Sequence, residues 1–217
     1  MIASSYVWLN DEIVPRQQAD PSVASNTLNL GTAVFDGIMA YWNRDHWLVH
    51  RGGEHVRRFL DGSRKMGLDQ SWTESDLLTG IDRLLDTLPP RTHYLRPLAY
   101  RRSAEVFFHV TDEQRSTCVF AVPARRDVDA PLSCELSPVQ RVHHRAIPVG
   151  WKISGAYANS YLAEEHARSA GFDTGLMLDR VGRIAETSSS NVFFVQDGEL
   201  ITPRLDGDVF PGITRRL

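Results

Sequence analysis

The apolar residues of this chain occur in short segments with two different periods, and this pattern restricts the fold to a mixture of strands and helices. Residues 6–15 alternate around a central polar pair, which predicts two strands joined by a turn. Residues 54–66 and 77–88 carry apolar side chains three and four positions apart, which predicts two amphipathic helices. The second helix follows a capping-box sequence at 73–76 and ends before two prolines. No apolar run approaches the roughly 18–20 residues that span a bilayer, so we expect no membrane partner.

The order of these segments predicts an α+β fold with two domains. Residues 1–124, in which strands and helices alternate, are predicted to form a small N-terminal α/β domain with a continuous strand over 33–42. The polar, proline-containing segment 125–131 is predicted to be the interdomain linker. Residues 132–217 contain one predicted helix and two predicted hairpins, and we assign them to a larger domain rich in antiparallel strands. Residues 213–217 resemble the beginning of a helix, so we expect this second domain to be incomplete at its C-terminus.

Charge and side-chain counts exclude some partners and limit the chemistry. The net charge of -3 gives no strong attraction to nucleic acid or to an anionic membrane. Of the 24 lysines and arginines, only Lys65 and Lys152 are lysine. Because arginine keeps its proton near neutral pH, only these two side chains can supply an amine nucleophile. Cys118 and Cys134 are isolated, which fits a reduced cytoplasmic setting, and we expect both to be buried.

Lys152 lies in a segment that suits an amine nucleophile. Apolar residues surround it in Ile147-Pro-Val-Gly-Trp-Lys-Ile-Ser-Gly155, and the loss of water there would lower the pKa of the ammonium group. A lowered pKa is what a lysine needs to attack a carbonyl group. Tyr157 follows at the start of a predicted helix, where its hydroxyl can face a group bound to Lys152. On local evidence alone, a surface lysine beside a tryptophan remains the commoner case.

Four further sites along the chain are candidates for binding roles. Glu186 precedes a serine-rich turn and a buried strand, where its carboxylate can pair with a protonated ring nitrogen or can be merely structural. Residues 212–215 form a turn before a helix, and backbone amides in such a turn can bind phosphate. Arg58 can simply pair with Glu54 one helical turn earlier. Arg96 is a charge inside a strand pattern, so we expect it to need an anion or an acidic partner.

Taken in order, these segments resemble the class IV aminotransferases, and most of all the branched-chain amino acid aminotransferases. The likeness runs from Tyr6 to Arg215. The segments that carry it are 6–10, 31–38, 54–58, 94–98 and 147–215. The resemblance implies fold type IV, pyridoxal 5′-phosphate as the cofactor, and an amino acid and a 2-oxo acid as small-molecule substrates. It also implies a homodimer if the chain is complete.

The resemblance assigns a role to each matching residue. Lys152 matches the lysine that bonds covalently to the cofactor and moves the proton of the substrate Cα. Glu186 matches the carboxylate that keeps the pyridine nitrogen protonated, and Tyr157 matches the tyrosine that hydrogen-bonds the phenolic oxygen of the ring. The matches to phosphate-binding residues are Arg58, Ile213 and Thr214, and the matches to substrate-binding residues are Tyr94 and Arg96.

Several positions depart from the branched-chain pattern and leave the substrate open. Leu30 and Met39 stand where branched-chain enzymes commonly have tyrosine and arginine, and residues 187–190 look more like the D-amino acid branch. We expect transamination of a branched-chain or other apolar L-amino acid with 2-oxoglutarate or glutamate. The alternatives are a D-amino acid transaminase, an aminodeoxychorismate lyase that uses the same lysine, and a non-catalytic truncated homologue.

Overall fold

The structure is a computed structural model that describes residues 3–109, 114–124, 130–206 and 208–217. Contacts between Cα atoms group the chain into two units, Met1–Arg126 with Trp151–Gly155, and Asp127–Gly150 with Ala156–Leu217. Most of the predicted linker at 125–131 lies outside the described residues, so the predicted domain boundary stays a prediction. Within the described ranges, no helix is both long enough and apolar enough to cross a membrane.

Antiparallel strands form the sheet of the first unit. The described strands are β1 (Tyr6–Leu9), β2 (Glu12–Pro15), β3 (Val34–Phe35), β4 (Ile38–Asn43), β5 (His46–Val49), β6 (His93–Arg101) and β7 (Arg115–Pro123). They lie in the order β2-β1-β7-β6-β4-β5, and β3 pairs with β6. The predicted β1–β2 hairpin is confirmed, and Asn10 and Asp11 turn the chain with φ angles of 46° and 75°.

The continuous strand predicted over 33–42 is wrong, because the chain breaks between β3 and β4. At the break, the backbone N–H of Gly37 donates to the carboxylate of Asp36 at 2.7 Å and not to a neighbouring strand. The N–H of Asp36 donates to the carbonyl of Pro97 at 3.0 Å. A side-chain acceptor therefore replaces the strand ladder at this point, and Asp36 turns into the interior.

The described α-helices of the first unit are α1 (Asn26–Leu30), α2 (Gly52–Lys65) and α3 (Glu74–Leu85). The two long helices were predicted, and the capping box is confirmed, because Thr73 and Asp76 exchange side-chain to backbone bonds. The apolar stripes of both helices enter the core. Their buried apolar residues are Val56, Phe59, Leu60, Leu77, Ile81, Leu84 and Leu85, and they share one cluster with Trp8, Val34, Ile38 and Leu95 of the sheet.

The described part of the second unit contains a long helix and two small sheets. Its elements are β8 (Cys134–Leu136), α4 (Tyr157–Ser169), β9 (Thr174–Leu178), β10 (Ile184–Thr187), β11 (Phe194–Gln196) and β12 (Glu199–Ile201). The hairpins β9–β10 and β11–β12 are confirmed, whereas β8 and β9 run parallel. Gly182 and Gly198 adopt φ angles of 82° and 81° in the hairpin turns, a region that suits glycine. The expected burial holds for Cys118 and is wrong for Cys134, which is exposed on β8.

Candidate functional site

A buried ion pair lies at the break between β3 and β4. Arg58 reaches from α2 and donates from Nε and Nη2 to the two carboxylate oxygens of Asp36 at 2.8 Å and 2.7 Å. His55 Nδ1 lies 2.9 Å from Asp36 Oδ1. Burial by itself raises the pKa of Asp36, but the hydrogen bonds from Arg58 and His55 outweigh it and lower the pKa to about 2. The carboxylate is therefore ionised at neutral pH and orients Arg58.

Arg58 has an acidic partner that local spacing did not predict. Glu54 lies one turn before Arg58 on α2, and its carboxylate accepts from Arg51 at 2.7 Å. Arg58 bonds to an acid that is 22 residues away in the chain. A bidentate bond to a buried carboxylate fixes the guanidinium group far better than an exposed i,i+4 pair does.

Lys152 is attached to β3 by its own backbone. Its carbonyl accepts from the N–H of Phe35 at 3.2 Å, and Ser154 N–H donates to the carbonyl of Ala33 at 2.8 Å. The φ angle of Lys152 is 52°, a left-handed conformation that costs a non-glycine residue roughly 1–2 kcal/mol. Strain of this kind persists only where the surroundings impose it, and here the backbone bonds to Ala33 and Phe35 hold the segment in place.

The surroundings of the Lys152 amine lower its pKa from 10.5 to about 8. Burial is the largest cause, and the positive charges of Arg58 and Arg96 act in the same direction. Asp36 and Tyr94 act in the opposite direction. At pH 7 about one amine in ten is then neutral, compared with fewer than about one in a thousand for an ordinary lysine. Lys152 can therefore act as a nucleophile and as a base near neutral pH.

Tyr94 and Arg96 point to the same face of β6 and lie beside Lys152. Arg96 Nε donates to the Tyr94 hydroxyl at 3.1 Å, and the guanidinium carbon lies 4.3 Å from the centre of the Phe35 ring. Lys152 Nζ lies 4.9 Å from the centre of the same ring. The partner expected for Arg96 was an anion or an acid, and the contacts described here are instead a hydroxyl and an aromatic ring. Neither contact uses the Nη groups of Arg96, which suit a carboxylate.

The charged neighbours of Lys152 predict how its pKa changes when they are replaced. In the protein stripped of cofactor, the reactivity of Lys152 towards acetic anhydride is expected to rise with a midpoint near pH 8. Asp36→Asn removes a charge that raises this pKa, so the midpoint is expected to fall. Arg96→Met removes a charge that lowers it, so the midpoint is expected to rise. Peptide mass mapping of Lys152 across pH measures all three midpoints, and shifts in the reverse directions would contradict the described electrostatics.

A second buried ion pair lies in the second unit, on β10. Arg141 Nε donates to Glu186 Oε1 at 2.5 Å, and each side chain is only 5% exposed. Glu186 Oε2 accepts from Asn191 Nδ2 at 3.0 Å and from the backbone N–H of Phe210 at 3.1 Å. These three donors hold the carboxylate in place and fix its orientation.

Asn191 connects Glu186 to the turn that was predicted to bind phosphate. Its Nδ2 also donates to the carbonyl of Phe210 at 2.9 Å. A Cβ atom at Gly212 would lie 2.0 Å from Asn191 Oδ1, so a larger residue here would displace the Asn191 side chain from its present position. Ile213 is buried, and Thr214 begins a 3-10 turn, Thr214–Arg216, where the beginning of a helix was expected. The turn and the Glu186 carboxylate are thus parts of one hydrogen-bonded arrangement.

The structure places the predicted site residues in two groups, one in each unit. Those of the first unit are Lys152, Arg58, Tyr94 and Arg96, and those of the second are Glu186, Tyr157, Ile213 and Thr214. Tyr157 is the first residue of α4, as predicted. Three residues of these two groups were not predicted from the sequence, namely Asp36, Arg141 and Asn191. Asp36 could have been found as a lone charge inside the strand-like segment 33–42, whereas no sequence pattern distinguishes Arg141 or Asn191.

Comparisons with known proteins agree on one family. The family model described as "Amino-transferase class IV" matches residues 33–217. A protein of Aquifex aeolicus named "Probable branched-chain-amino-acid aminotransferase" is 29% identical over 215 residues, which cover 97% of this chain and 69% of that protein. These matches rest on nearly the whole chain and not on a single motif.

Solved structures give the same result. The branched-chain aminotransferase of Thermoproteus uzoniensis with norvaline has a TM-score of 0.92 and 33% identity, covering 98% of this chain and 72% of that chain. The T.th. branched-chain amino acid aminotransferase complexed with N-(5′-phosphopyridoxyl)-L-glutamate has a TM-score of 0.88 and 30% identity, covering 100% of this chain and 71% of that one. The fold seen in both units is therefore the fold of these enzymes.

Proposed function

The chain belongs to the class IV aminotransferases, and we propose that it exchanges the amino group of an apolar L-amino acid with the oxo group of 2-oxoglutarate. Three expectations from the sequence are confirmed: the resemblance to this family, the α+β architecture of fold type IV, and pyridoxal 5′-phosphate as the cofactor. The observation that supports the proposal most directly is Lys152. It is one of two lysines, and its pKa of about 8 suits transamination.

The side chains described above fit this cofactor by their chemistry. Arg58 carries a positive charge for the phosphate, and its two bonds to Asp36 orient the guanidinium group. The backbone amides of Ile213 and Thr214, with the hydroxyl of Thr214, would supply further phosphate donors. Glu186 would hold a proton at the pyridine nitrogen, because its carboxylate is buried and fixed by three donors. Tyr157 would donate its hydroxyl proton to the phenolic oxygen.

When bound, pyridoxal 5′-phosphate supplies an electron sink that stabilises negative charge at the substrate Cα. Lys152 Nζ would hold the cofactor and, once released from it, would take the proton from the substrate Cα. A neutral amine with a pKa near 8 can accept this proton and can also give it up again near neutral pH, because its pKa lies close to the pH of the solution. The Phe35 ring beside Nζ helps to keep water away from the amine.

The choice of substrates rests on the relatives and on Arg96. The structures of two relatives are described with norvaline and with a phosphopyridoxyl adduct of L-glutamate. In this chain, the Nη groups of Arg96 would bind the side-chain carboxylate of glutamate, and the Tyr94 hydroxyl would orient Arg96. We also propose a homodimer, as the resemblance implies for a complete chain, and a cytoplasmic location, which fits the two isolated cysteines.

A substrate panel tests the proposed function. The chain with added cofactor is expected to form glutamate from 2-oxoglutarate when given L-leucine, L-valine or L-norvaline, as measured by mass spectrometry of both products. Turnover confined to D-alanine or D-glutamate would support the D-amino acid alternative. Release of pyruvate from aminodeoxychorismate without glutamate formation would support the lyase. Absence of turnover with every substrate, despite bound cofactor, would support a non-catalytic homologue.

A further inference from the structure

Three side chains of the second unit form a cluster that the proposed transamination does not use. His143, His144 and Asp208 present one ligand atom each, and these atoms all lie within 4.8 Å of one another. His144 Nδ1 is 2.9 Å from Asp208 Oδ1, and His143 Nε2 is 3.8 Å from the same oxygen. Two imidazoles and one carboxylate are ligand types that zinc and similar divalent transition ions prefer.

Two separations in this cluster are close to those around a tetrahedral ion. Ligand atoms that lie about 2.0–2.1 Å from Zn²⁺ in tetrahedral geometry are about 3.3 Å apart. The distance from His144 to Asp208 has to lengthen by about 0.4 Å, and that from His143 to Asp208 has to shorten by about 0.5 Å. The third separation, between the two imidazole nitrogens, is at most 4.8 Å, so rotation of the His143 and His144 rings has to bring these atoms closer by up to about 1.5 Å.

The chain holds the three ligands in place without an ion. Asp208 has a side chain that is 9% exposed, and its Oδ1 also accepts from the backbone N–H of His144 at 3.0 Å. The carbonyl of His143 accepts from the N–H groups of Ala146 and Ile147, which closes a tight turn after the two histidines. The side chain of His144 is 41% exposed, so solvent reaches the cluster from one side. A metal ion has a path of entry there, and water can complete its coordination.

We propose that His143, His144 and Asp208 form a structural binding site for Zn²⁺ or a divalent transition ion of similar size. The site would connect the two segments that hold Glu186. Arg141 precedes His143 by two residues, and Phe210 follows Asp208 by two residues. Since Arg141 Nε and the Phe210 N–H both donate to Glu186, an ion at this cluster would tie together the anchors of that carboxylate.

Zinc titration of the chelator-treated protein with bound cofactor tests this site. Competition with a chromophoric chelator is expected to show one Zn²⁺ per chain, and Co²⁺ is expected to give the visible absorbance of a tetrahedral site. His143→Ala and Asp208→Asn are each expected to weaken Zn²⁺ binding by at least about tenfold and to abolish the Co²⁺ spectrum. His166→Ala, which alters an exposed histidine of α4 outside the cluster, is expected to bind Zn²⁺ as the unchanged chain does.

The variants separate loss of the ligand from loss of the fold. Asp208→Asn also weakens the hydrogen bond from the His144 backbone N–H. The His143 ring lies 3.8 Å from the Asp208 carboxylate, so His143→Ala removes a metal ligand with less disturbance of the fold. Saturating Zn²⁺ is expected to raise the Tm of the unchanged chain and not that of His143→Ala. Failure of the unchanged chain to bind Zn²⁺ would overturn the proposal. So would equal Zn²⁺ affinity in His143→Ala, or loss of binding in His166→Ala.

Discussion

Lys152→Met is expected to lower kcat for amino-group transfer by at least about 1,000-fold. The substitution removes both the nucleophile that holds the cofactor and the base that moves the Cα proton, and a positioned acid–base group alone contributes about 100- to 10,000-fold. Methionine preserves the length of the side chain beside Phe35 without its charge. Steady-state formation of glutamate from 2-oxoglutarate measures the effect.

Stability and a second lysine provide the controls for this result. Burial lowers the pKa of Lys152 from 10.5 to about 8, so the unfolded chain binds this proton more tightly than the folded chain does. The buried charge therefore costs folding free energy below about pH 8, and the cost disappears as pH rises from about 8 to 10.5. Without cofactor, Lys152→Met is thus expected to melt no lower than the unchanged chain at pH 7. Lys65→Met, which alters a surface pair with Asp61, is expected to retain activity.

Chemical mapping gives an independent check on the same lysine. Borohydride reduction of the protein with bound cofactor, followed by peptide mass mapping, is expected to place the label on Lys152. A label on Lys65, or a Lys152→Met variant that keeps more than about one tenth of the activity, would contradict the assignment.

Glu186→Gln is expected to slow exchange of the substrate Cα proton by about 100-fold or more while cofactor binding persists. A neutral amide cannot hold a proton at the pyridine nitrogen as a carboxylate can. The same change leaves the buried charge of Arg141 without its anion, which typically costs about 3–5 kcal/mol of stability. Proton–deuterium exchange at Cα, followed by NMR well below the melting temperature, measures the rate separately from unfolding.

The double variant Glu186→Gln/Arg141→Met separates the two effects. Removal of the orphaned charge is expected to restore much of the stability lost in Glu186→Gln, because neither partner then remains charged and buried. The slow proton exchange is expected to persist, since the carboxylate is still missing. A half-reaction rate equal to that of the unchanged chain in either variant would show that Glu186 has only a structural role.

Local patterns in the sequence were sufficient for most helices and strands. The stripes of α2 and α3, the capping box at Thr73 and the hairpin turns each depend on residues within a few positions of one another, and side-chain periodicity reports such neighbours directly. The family was also recognisable from the sequence, because its segments occur in order along nearly the whole chain. Lys152 could be selected as the nucleophile because only two lysines are available.

Only the tertiary structure decided which charges meet. Arg58 bonds to Asp36, 22 residues away, and Arg141 bonds to Glu186, 45 residues away, and neither pairing follows from local spacing. The pKa of Lys152 depends on burial and on the nearby groups Asp36, Arg58, Tyr94 and Arg96. None of these residues is close to Lys152 in the sequence. Periodicity assigns a side chain to a face of its own element and carries no information about what that face contacts. The sequence therefore determined the elements and the family, and packing between distant segments determined the charge state and orientation of the reacting groups.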